Sequence, residues 1–167
     1  MGERLTQGDI DKVQAEIDER KLVLRPKLLE EVKETRAQGD LSENFEYHEA
    51  KRAKNMNDSR IRYLEKMLRY AEVVDDTSND DEVGINNTVT IYIPEDDCEE
   101  TYKLVTSIRG NSLKGLISIE SPLGSAIRGK HVGDKVMVKV NDDYSYEVEI
   151  RSIDNSTTDE DDKIKRY

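Results

Sequence analysis

Two segments near the start of the chain repeat apolar residues at helical spacing. In the first, from about residue 8 to residue 38, the intervals are three, four and seven positions, at Ile10, Val13, Ile17, Leu24, Leu28 and Val32. This spacing places one apolar stripe along a helix. Pro26 lies inside the pattern and removes a backbone donor, so we expect a kink or local break near Leu24 and Arg25. Gly39 is a natural end for this helix.

The second helical segment runs from about Ser42 to Val74 without glycine or proline. Its stripe has intervals of three and four and comprises Ala50, Ala53, Asn57, Ile61, Leu64, Leu68 and Ala71. Two helices of about 30 residues joined by a short loop are predicted to be antiparallel neighbours, each roughly 45 Å long. The other positions are mostly charged, as on the exterior of a coiled coil. Residues 1–76 are therefore predicted to form a coiled-coil finger with its tip at residues 39–44.

Beyond residue 84 the apolar period changes to two. The acidic segment at residues 77–84 is predicted to be a linker. The alternating segments that follow are typical of strands and are Thr88–Ile93, Thr101–Ile108, Gly115–Glu120, Lys135–Val140 and Tyr144–Ile153. Ser121 is a suitable N-cap and Pro122 a suitable first helical residue, so a short helix is predicted after the third strand. We therefore predict an α+β chain in which residues 85–155 form a small antiparallel sheet with one helix, and residues 156–167 a flexible acidic tail.

Composition and charge narrow the classes of function. Of the 167 residues, 38% are charged and the net charge is −11. A broad nucleic-acid-binding surface is not expected, because contacts to phosphate backbones need clustered Lys and Arg. Cys98 is the only cysteine, so an intrachain disulfide is excluded, as fits a reducing cytosol. No apolar run approaches the roughly 20 residues of a membrane span, and we expect a soluble, cytoplasmic protein with no membrane partner.

The predicted tip, "GDLSEN", carries two carboxylates three residues apart, Asp40 and Glu43. One interpretation is a capping box, in which both side chains satisfy backbone N–H groups at the start of the second helix. The other is half of a divalent-cation site, because hard cations prefer carboxylates and Mg²⁺ usually shares its ligands with a phosphate group. Lys51 and Arg52 follow on the second helix. They form either an ordinary solvated face or a small basic patch that meets phosphate.

Motifs on both predicted domains resemble one known family. "GDLSENFEYHEAKR" resembles the hairpin tip, and "ISIESPLGSAIRGKHVGDKVMV" the C-terminal signature, of the bacterial transcript-cleavage factors of the GreA/GreB family. The segment "EYHEAKR" resembles the corresponding helix of the GreA branch more closely than that of the GreB branch, which is more basic. The resemblance covers the chain from about Leu5 to Ile153. It implies an N-terminal antiparallel coiled coil followed by an FKBP-like domain, and we expect a monomer.

The resemblance also implies a partner and a mode of action. The C-terminal domain would dock on RNA polymerase at the rim of the secondary channel, through Glu120, Ser121 and Pro122. The coiled coil would enter that channel. Asp40 and Glu43 fall on the family's catalytic positions, where they would hold Mg²⁺ jointly with the polymerase. The polymerase, rather than this protein, would then cleave its backtracked RNA near the 3′ end.

Further roles at the finger follow from the same resemblance. Ser42 and Asn44 would support the tip, and Lys51 and Arg52 would contact RNA or the channel. This sequence departs from the family pattern at its last hairpin, where Asn141–Asp143 replaces a glycine-containing turn, and in a tail that extends beyond the usual end.

Two other functions remain open. A factor on the same scaffold could enter the channel and inhibit synthesis without cleavage, although the two carboxylates of "GDLSEN" favour cleavage. The FKBP-like domain could instead act as a prolyl isomerase or chaperone. Against this, the chain has no Trp, and its only Phe, Phe45, lies outside that domain.

Overall fold

The computed structural model describes residues 2–39 and 44–166. The chain divides into a helical unit, Asp9–Ala71 with Met1–Gly2, and a sheet unit, Glu3–Gly8 with Glu72–Tyr167. The predicted boundary at residue 76 thus falls inside the sheet unit. So do the predicted linker at residues 77–84 and the start of the chain at Glu3–Gly8.

The helical unit is built from α1 (Gln7–Glu19), α2 (Arg25–Arg36) and α3 (Phe45–Tyr70). A π-helical turn, Arg20–Leu24, joins α1 to α2, and the N–H of Arg25 donates to the carbonyl of Arg20. The predicted break near Leu24 and Arg25 is confirmed. In a continuous α-helix, Pro26 would have no N–H for the carbonyl of Leu22, and its ring would press on that oxygen.

A polar layer joins the two arms of the hairpin. It consists of Glu16, Arg20, Asn57 and Arg60, which we call the Glu16 layer. The carboxylate of Glu16 accepts hydrogen bonds from Nε of Arg20 at 2.8 Å and from Nε of Arg60 at 2.9 Å. The guanidinium of Arg20 also donates to Oδ1 of Asn57 at 2.9 Å. Glu16 contacts Arg60, and Arg20, further along the first arm, contacts Asn57, which lies earlier on the second. The two arms therefore run in opposite directions, as predicted.

The sheet unit contains a two-stranded and a five-stranded sheet, whose strands are β1 (Arg4–Leu5), β2 (Glu72–Val73), β3 (Thr88–Ile93), β4 (Cys98–Val105), β5 (Leu116–Ser118), β6 (Lys135–Lys139) and β7 (Ser145–Asp154). The larger sheet has the order β5-β4-β3-β7-β6. The predicted antiparallel sheet is wrong at one place, because β4 and β5 pair in parallel. Two short 3₁₀ turns, Ser107–Arg109 and Ser112–Lys114, turn the chain between these strands. They bring β5 back in the direction of β4.

One face of the larger sheet forms an apolar core, with a buried cluster of Val83, Ile85, Val89, Ile91, Ile93, Leu104, Ile119, Ile127, Val138, Val148 and Ile150. The predicted short helix is confirmed as α4, Pro122–Ile127, and it contributes Ile127 to this cluster. The hydroxyl of Ser121 caps it by accepting from the N–H of Gly124 at 3.0 Å. Across residues 2–39 and 44–166, none of the helices has the length and apolar character that a membrane crossing requires.

Candidate functional site

Asn44 joins the two arms of the hairpin next to the predicted tip. Its Oδ1 accepts from the N–H of Tyr47 at 3.0 Å, and its Nδ2 donates to the carbonyl of Thr35 at 2.8 Å. The first bond caps α3, and the second ties that cap to the last turn of α2. The helix begins at Phe45, so the interpretation of Asp40 as its N-cap is wrong.

The predicted catalytic and metal-binding residues, Asp40 and Glu43, lie outside the described residues, as does Ser42. Their suitability for a cation therefore rests on the chemistry of carboxylates, which hard cations prefer. Within the described part of the chain, no group of three or more His, Cys, Asp or Glu is placed to hold a metal ion. Two carboxylates alone hold Mg²⁺ weakly, since this ion keeps several waters and shares ligands with phosphates.

A buried tyrosine reinforces the neck of the hairpin below Asn44. Tyr47 is 7% exposed, and the guanidinium carbon of Arg36 lies 5.7 Å from the centroid of its ring. A hydrogen bond from Arg36 lowers the pKa of the Tyr47 hydroxyl. The neighbouring Phe45, by contrast, is 84% exposed at the first position of α3. The neck is thus held by contacts between α2 and α3, and it presents one large apolar side chain to solvent.

A basic groove lies between α2 and α3, with a volume of about 320 Å³. We define it by its lining residues, which are Leu29, Val32, Lys33, Arg36, Lys51, Lys54 and Asn55. Among the ion pairs of the described residues, Lys54 is the basic residue of this groove that pairs with a carboxylate, that of Asp58 at 3.2 Å. The groove combines positive charge with an apolar floor, which suits a phosphate that carries an organic group.

The structure separates the predicted pair of basic residues. Lys51 lines the basic groove, whereas Arg52 lies outside it, 70% exposed and 3.9 Å from the carboxylate of Glu49. Lys33 and Arg36 line the groove from the other arm, and they were not predicted from the sequence. Aligning the two apolar stripes as antiparallel neighbours is the signal that could have found them, because it sets these residues opposite Lys51.

The predicted docking residues form a rigid turn in the sheet unit. The N–H of Glu120 donates to Oγ of Ser118 at 2.9 Å, and the hydroxyl of Ser121 donates to the Ser118 carbonyl at 2.7 Å. Pro122 then begins α4. Gly124 is required here, because a Cβ at this position would lie 1.9 Å from the Ser118 carbonyl oxygen. The turn therefore presents Glu120 and Pro122 at the surface with little freedom.

Arg4 of β1 is a partner of this turn that sequence reasoning missed. Its Nε donates to the carboxylate of Glu120 at 2.6 Å, across 116 positions of sequence. This hydrogen bond, together with the positive charge of Arg4, holds the pKa of Glu120 below its ordinary value. No local pattern could have indicated a contact so distant in sequence.

A cleft of about 410 Å³ lies in the sheet unit, and its lining can be compared with the pocket that a prolyl isomerase would need. Its lining consists of Asp76, Thr77, Ser78, Ile85, Asn86, Asn87, Asn155, Thr157, Thr158 and Asp159. These side chains are polar apart from Ile85, and none is aromatic. The cleft does not offer the aromatic floor expected of a prolyl isomerase.

Comparison with known proteins matches both units to one family. The family model for the N-terminal domain of transcription elongation factors matches residues 3–73, and the model for the C-terminal domain of GreA/GreB matches residues 77–155. Transcription elongation factor GreA of Streptococcus thermophilus is 40% identical over 154 residues, which cover 92% of this chain and 96% of that protein. Transcription elongation factor GreA of Macrococcus caseolyticus is 39% identical over 149 residues, covering 89% and 94%. A solved structure, GreA factor homolog 1 of Thermus thermophilus, has 21% identity and a TM-score of 0.43, covering 92% of this chain and 99% of that one.

Proposed function

This chain belongs to the GreA/GreB family of transcription elongation factors and acts with RNA polymerase, and we propose that it brings the carboxylates of its hairpin tip to the polymerase active site through the secondary channel. The observation that carries this proposal is the cap of α3. Asn44 is the N-cap of α3, and its Oδ1 accepts from the N–H of Tyr47 at 3.0 Å, so the N-cap position belongs to this residue and not to Asp40. The proposal assigns Asp40 and Glu43 to the catalytic centre of the partner and not to this cap.

In this proposal Asp40 and Glu43 hold Mg²⁺ jointly with the aspartates of the polymerase. Bound there, Mg²⁺ would supply Lewis-acid stabilisation of phosphate charge and lower the pKa of its water. The two carboxylates lower the electrostatic cost of a second dication beside RNA. One of them also accepts the proton of the attacking water, an effect worth about 10²- to 10⁴-fold in rate. The polymerase supplies the rest of the catalytic centre, so the protein stimulates cleavage of backtracked RNA and is not itself the enzyme.

The remaining residues position the tip and the partner. Asn44 fixes the neck of the hairpin through its bonds to Thr35 and Tyr47, and Ser42 assists it within the tip. The protein acts as a monomer in the cytoplasm. Its turn Glu120–Pro122 docks at the rim of the secondary channel. Its geometry supports this role, since a surface that is held before binding loses little entropy on binding.

The basic groove is the natural place for the displaced RNA in this arrangement. Lys51 and the neighbouring cations of α2 meet a phosphate of the nascent 3′ segment, over the apolar floor of Leu29 and Val32. Arg52 faces away from the groove and contacts the channel instead. The net charge of −11 keeps this nucleic-acid contact local, because the rest of the surface repels phosphates.

Cleavage of backtracked RNA by purified RNA polymerase tests the proposal. Asp40→Asn and Glu43→Gln each remove one charge from the tip, and we expect each to reduce stimulated cleavage by about 10²- to 10⁴-fold. Binding to polymerase should remain unchanged, because the docking turn is intact. Glu46→Gln is the matched control, since it neutralises an exposed acid in the first turn of α3, and it should change cleavage less than about twofold.

Two results would count against this function. If both tip variants retain full stimulation, the carboxylates have another role. If the unaltered protein inhibits RNA synthesis and yields no cleavage product, the protein is an inhibitor on the same scaffold.

A further inference from the structure

The C-terminal segment, residues 155–166, has specific contacts on the sheet unit. The sequence predicts a flexible tail here, and the family model for the C-terminal domain ends at residue 155. In the structure the N–H of Lys165 donates to the carbonyl of Ile108 at 2.8 Å. The hydroxyl of Thr88 donates to the hydroxyl of Thr157 at 3.2 Å. Contacts at both ends of the segment lay it against β3 and the turn that follows β4.

Asp162 is the central contact of this segment. Its Oδ2 accepts from Nη1 of Arg109 at 2.7 Å and from Nζ of Lys103 at 2.9 Å, and its Oδ1 lies 3.1 Å from the same Nζ. The side chains are 0% exposed for Arg109, 15% for Lys103 and 7% for Asp162. One carboxylate of the tail therefore contacts two cations of the sheet unit in a site that is mostly screened from water.

Asn86 completes the site from a third direction. Its Oδ1 accepts from Nη1 of Arg109 at 2.7 Å, which fixes the guanidinium toward Asp162. Its backbone carbonyl accepts from the hydroxyl of Thr157 in the tail. Asn86 has a φ of 75°, a left-handed conformation that Asn tolerates better than most residues. This conformation allows one residue to contact both the buried cation and the segment that covers it.

Electrostatics explains why such a site needs an acidic ligand. Two cations that share a carboxylate repel each other where water is excluded, and the anion between them offsets this repulsion. Burial of Asp162 raises its pKa, but the hydrogen bonds from Lys103 and Arg109 outweigh burial and hold its pKa below the ordinary value. The carboxylate is therefore charged at neutral pH.

We propose that Lys103, Arg109 and Asn86 form a carboxylate-binding site on the sheet unit, that Asp162 is its tethered ligand, and that a separate acidic peptide can occupy the site when Asp162 is removed. This site is independent of the proposed role of the hairpin tip. Because the ligand belongs to the same chain, its effective concentration is on the order of millimolar, as for short flexible tethers. The unaltered protein is thus expected to keep the site filled and to exclude competing acidic segments.

Hydrogen exchange of the Lys165 amide tests the first part of the proposal. Asp162→Asn should speed exchange of this amide at least tenfold, because the segment loses its anchor. Asp161→Asn is the matched control, since it removes the same charge at the adjacent exposed position, and exchange should change less than twofold. Amides of β3 should remain protected in both variants. Equal exchange in the two variants, or loss of protection in β3 with Asp162→Asn, would overturn the proposal.

A peptide added in trans tests the second part on the full-length chain. A fluorescent peptide of residues 155–167 is titrated into the Asp162→Asn and Asp161→Asn proteins, which have equal net charge. The peptide should bind the Asp162→Asn protein at least tenfold more tightly, because the tail of that protein lacks the charged ligand that competes for Lys103 and Arg109. The same peptide carrying asparagine at position 162 should bind neither protein. Equal affinity of both proteins for the original peptide would show that the site does not select this carboxylate.

Discussion

The helical unit and the sheet unit are each stabilised internally by a different kind of contact. The core of the sheet unit is a cluster of buried aliphatic side chains. The helical unit buries a thinner stripe and interrupts it with the Glu16 layer, in which Asn57 is 3% and Arg60 is 7% exposed. A sheet unit of this kind gains stability from the removal of apolar surface from water. The hairpin depends more on charged and polar partners, so its stability should respond to pH.

The thinness of the hairpin explains this difference. Two helices can bury only one stripe each, and the other faces must be solvated. A purely apolar stripe would allow the arms to slide relative to each other. The Glu16 layer opposes sliding, because a shift of one arm would separate the guanidinium of Arg60 from the carboxylate of Glu16, 2.9 Å away. We infer that polar pairing sets the register of the two helices in the hairpin. In the sheet unit, strand pairing around the apolar core sets the register of the strands.

The largest expected effect is a truncation in the core of the sheet unit. Ile91 is 0% exposed, and Ile91→Ala should lower the free energy of unfolding by about 3–4 kcal/mol, from lost apolar transfer and the cavity that remains. Urea unfolding followed by circular dichroism measures this loss, which should be the same at pH 5 and pH 8 because no titrating group is involved. Thr90→Ala, on the opposite face of β3, is the control and should cost less than about 1 kcal/mol. A loss of stability that varies strongly with pH would contradict the conclusion that the sheet unit depends on apolar burial and the hairpin on charged groups.

Glu16→Gln should have the next largest effect, and it should appear in the hairpin. This change removes the negative charge that lies 2.9 Å from Nε of Arg60, whose side chain is 8% exposed. We expect a loss of about 2 kcal/mol, between the values for exposed and fully buried pairs. Helix content at 222 nm during urea unfolding is the measurement. Glu19→Gln, at an exposed position on α1, should change little, and an equal loss in both variants would argue against the Glu16 layer.

The same variant has a predicted pH dependence. Burial raises the pKa of Glu16, but hydrogen bonds from Arg60 and Arg20 lower it below its ordinary value of 4.5. A carboxyl group whose pKa is lower when folded contributes stability above pH 4.5, and this contribution is lost as the pH falls through the folded pKa. The hairpin of the unaltered protein should therefore lose stability in this acidic range, and the Glu16→Gln variant should lack that part of the loss.

Local signals in the sequence predicted much of the fold. Ser121 and Pro122 predicted α4, because a cap and a first helical proline act within one turn. Pro26 predicted the position of the break between α1 and α2, though not its π-helical form. The parallel pairing of β4 and β5 was not predictable in this way, since it depends on how the chain passes through two 3₁₀ turns.

Contacts distant in sequence limited the prediction of the candidate sites. Asp and Asn are both good N-cap residues, and the cap at Asn44 comes with a second bond that no local pattern indicates, to the carbonyl of Thr35 on the other arm. The pairing of Asp162 with Arg109 is equally hidden, because the tail is rich in acids and its sequence does not distinguish the one that is buried. The roles of Asp40 and Glu43 stay predictions that follow from the family motif.

Asn44→Ala should have a smaller effect than Glu16→Gln, confined to the neck of the hairpin. Loss of the cap should cost about 1 kcal/mol and speed hydrogen exchange of the Tyr47 amide. Asn44→Asp is the informative comparison, because it can still accept from Tyr47 but cannot donate to Thr35. It should preserve protection of the Tyr47 amide and yet reduce stimulated RNA cleavage, if the bond to Thr35 positions the tip. Full protection of Tyr47 in Asn44→Ala would show that this cap contributes nothing to α3.

The smallest expected effect on stability is that of Arg52→Gln. Its ion pair with Glu49 spans 3.9 Å between side chains that are 70% and 73% exposed. Such a pair adds little, because solvent screens the charges and ordering two long side chains costs entropy. Unfolding in urea should be unchanged within error, as it should be for Lys51→Gln. The two variants should differ in RNA cleavage, where Lys51→Gln should require more protein for half-maximal stimulation because Lys51 lines the basic groove. Equal cleavage defects in two equally stable variants would mean that the groove does not distinguish these cations, and that charge near the tip, wherever it points, is sufficient.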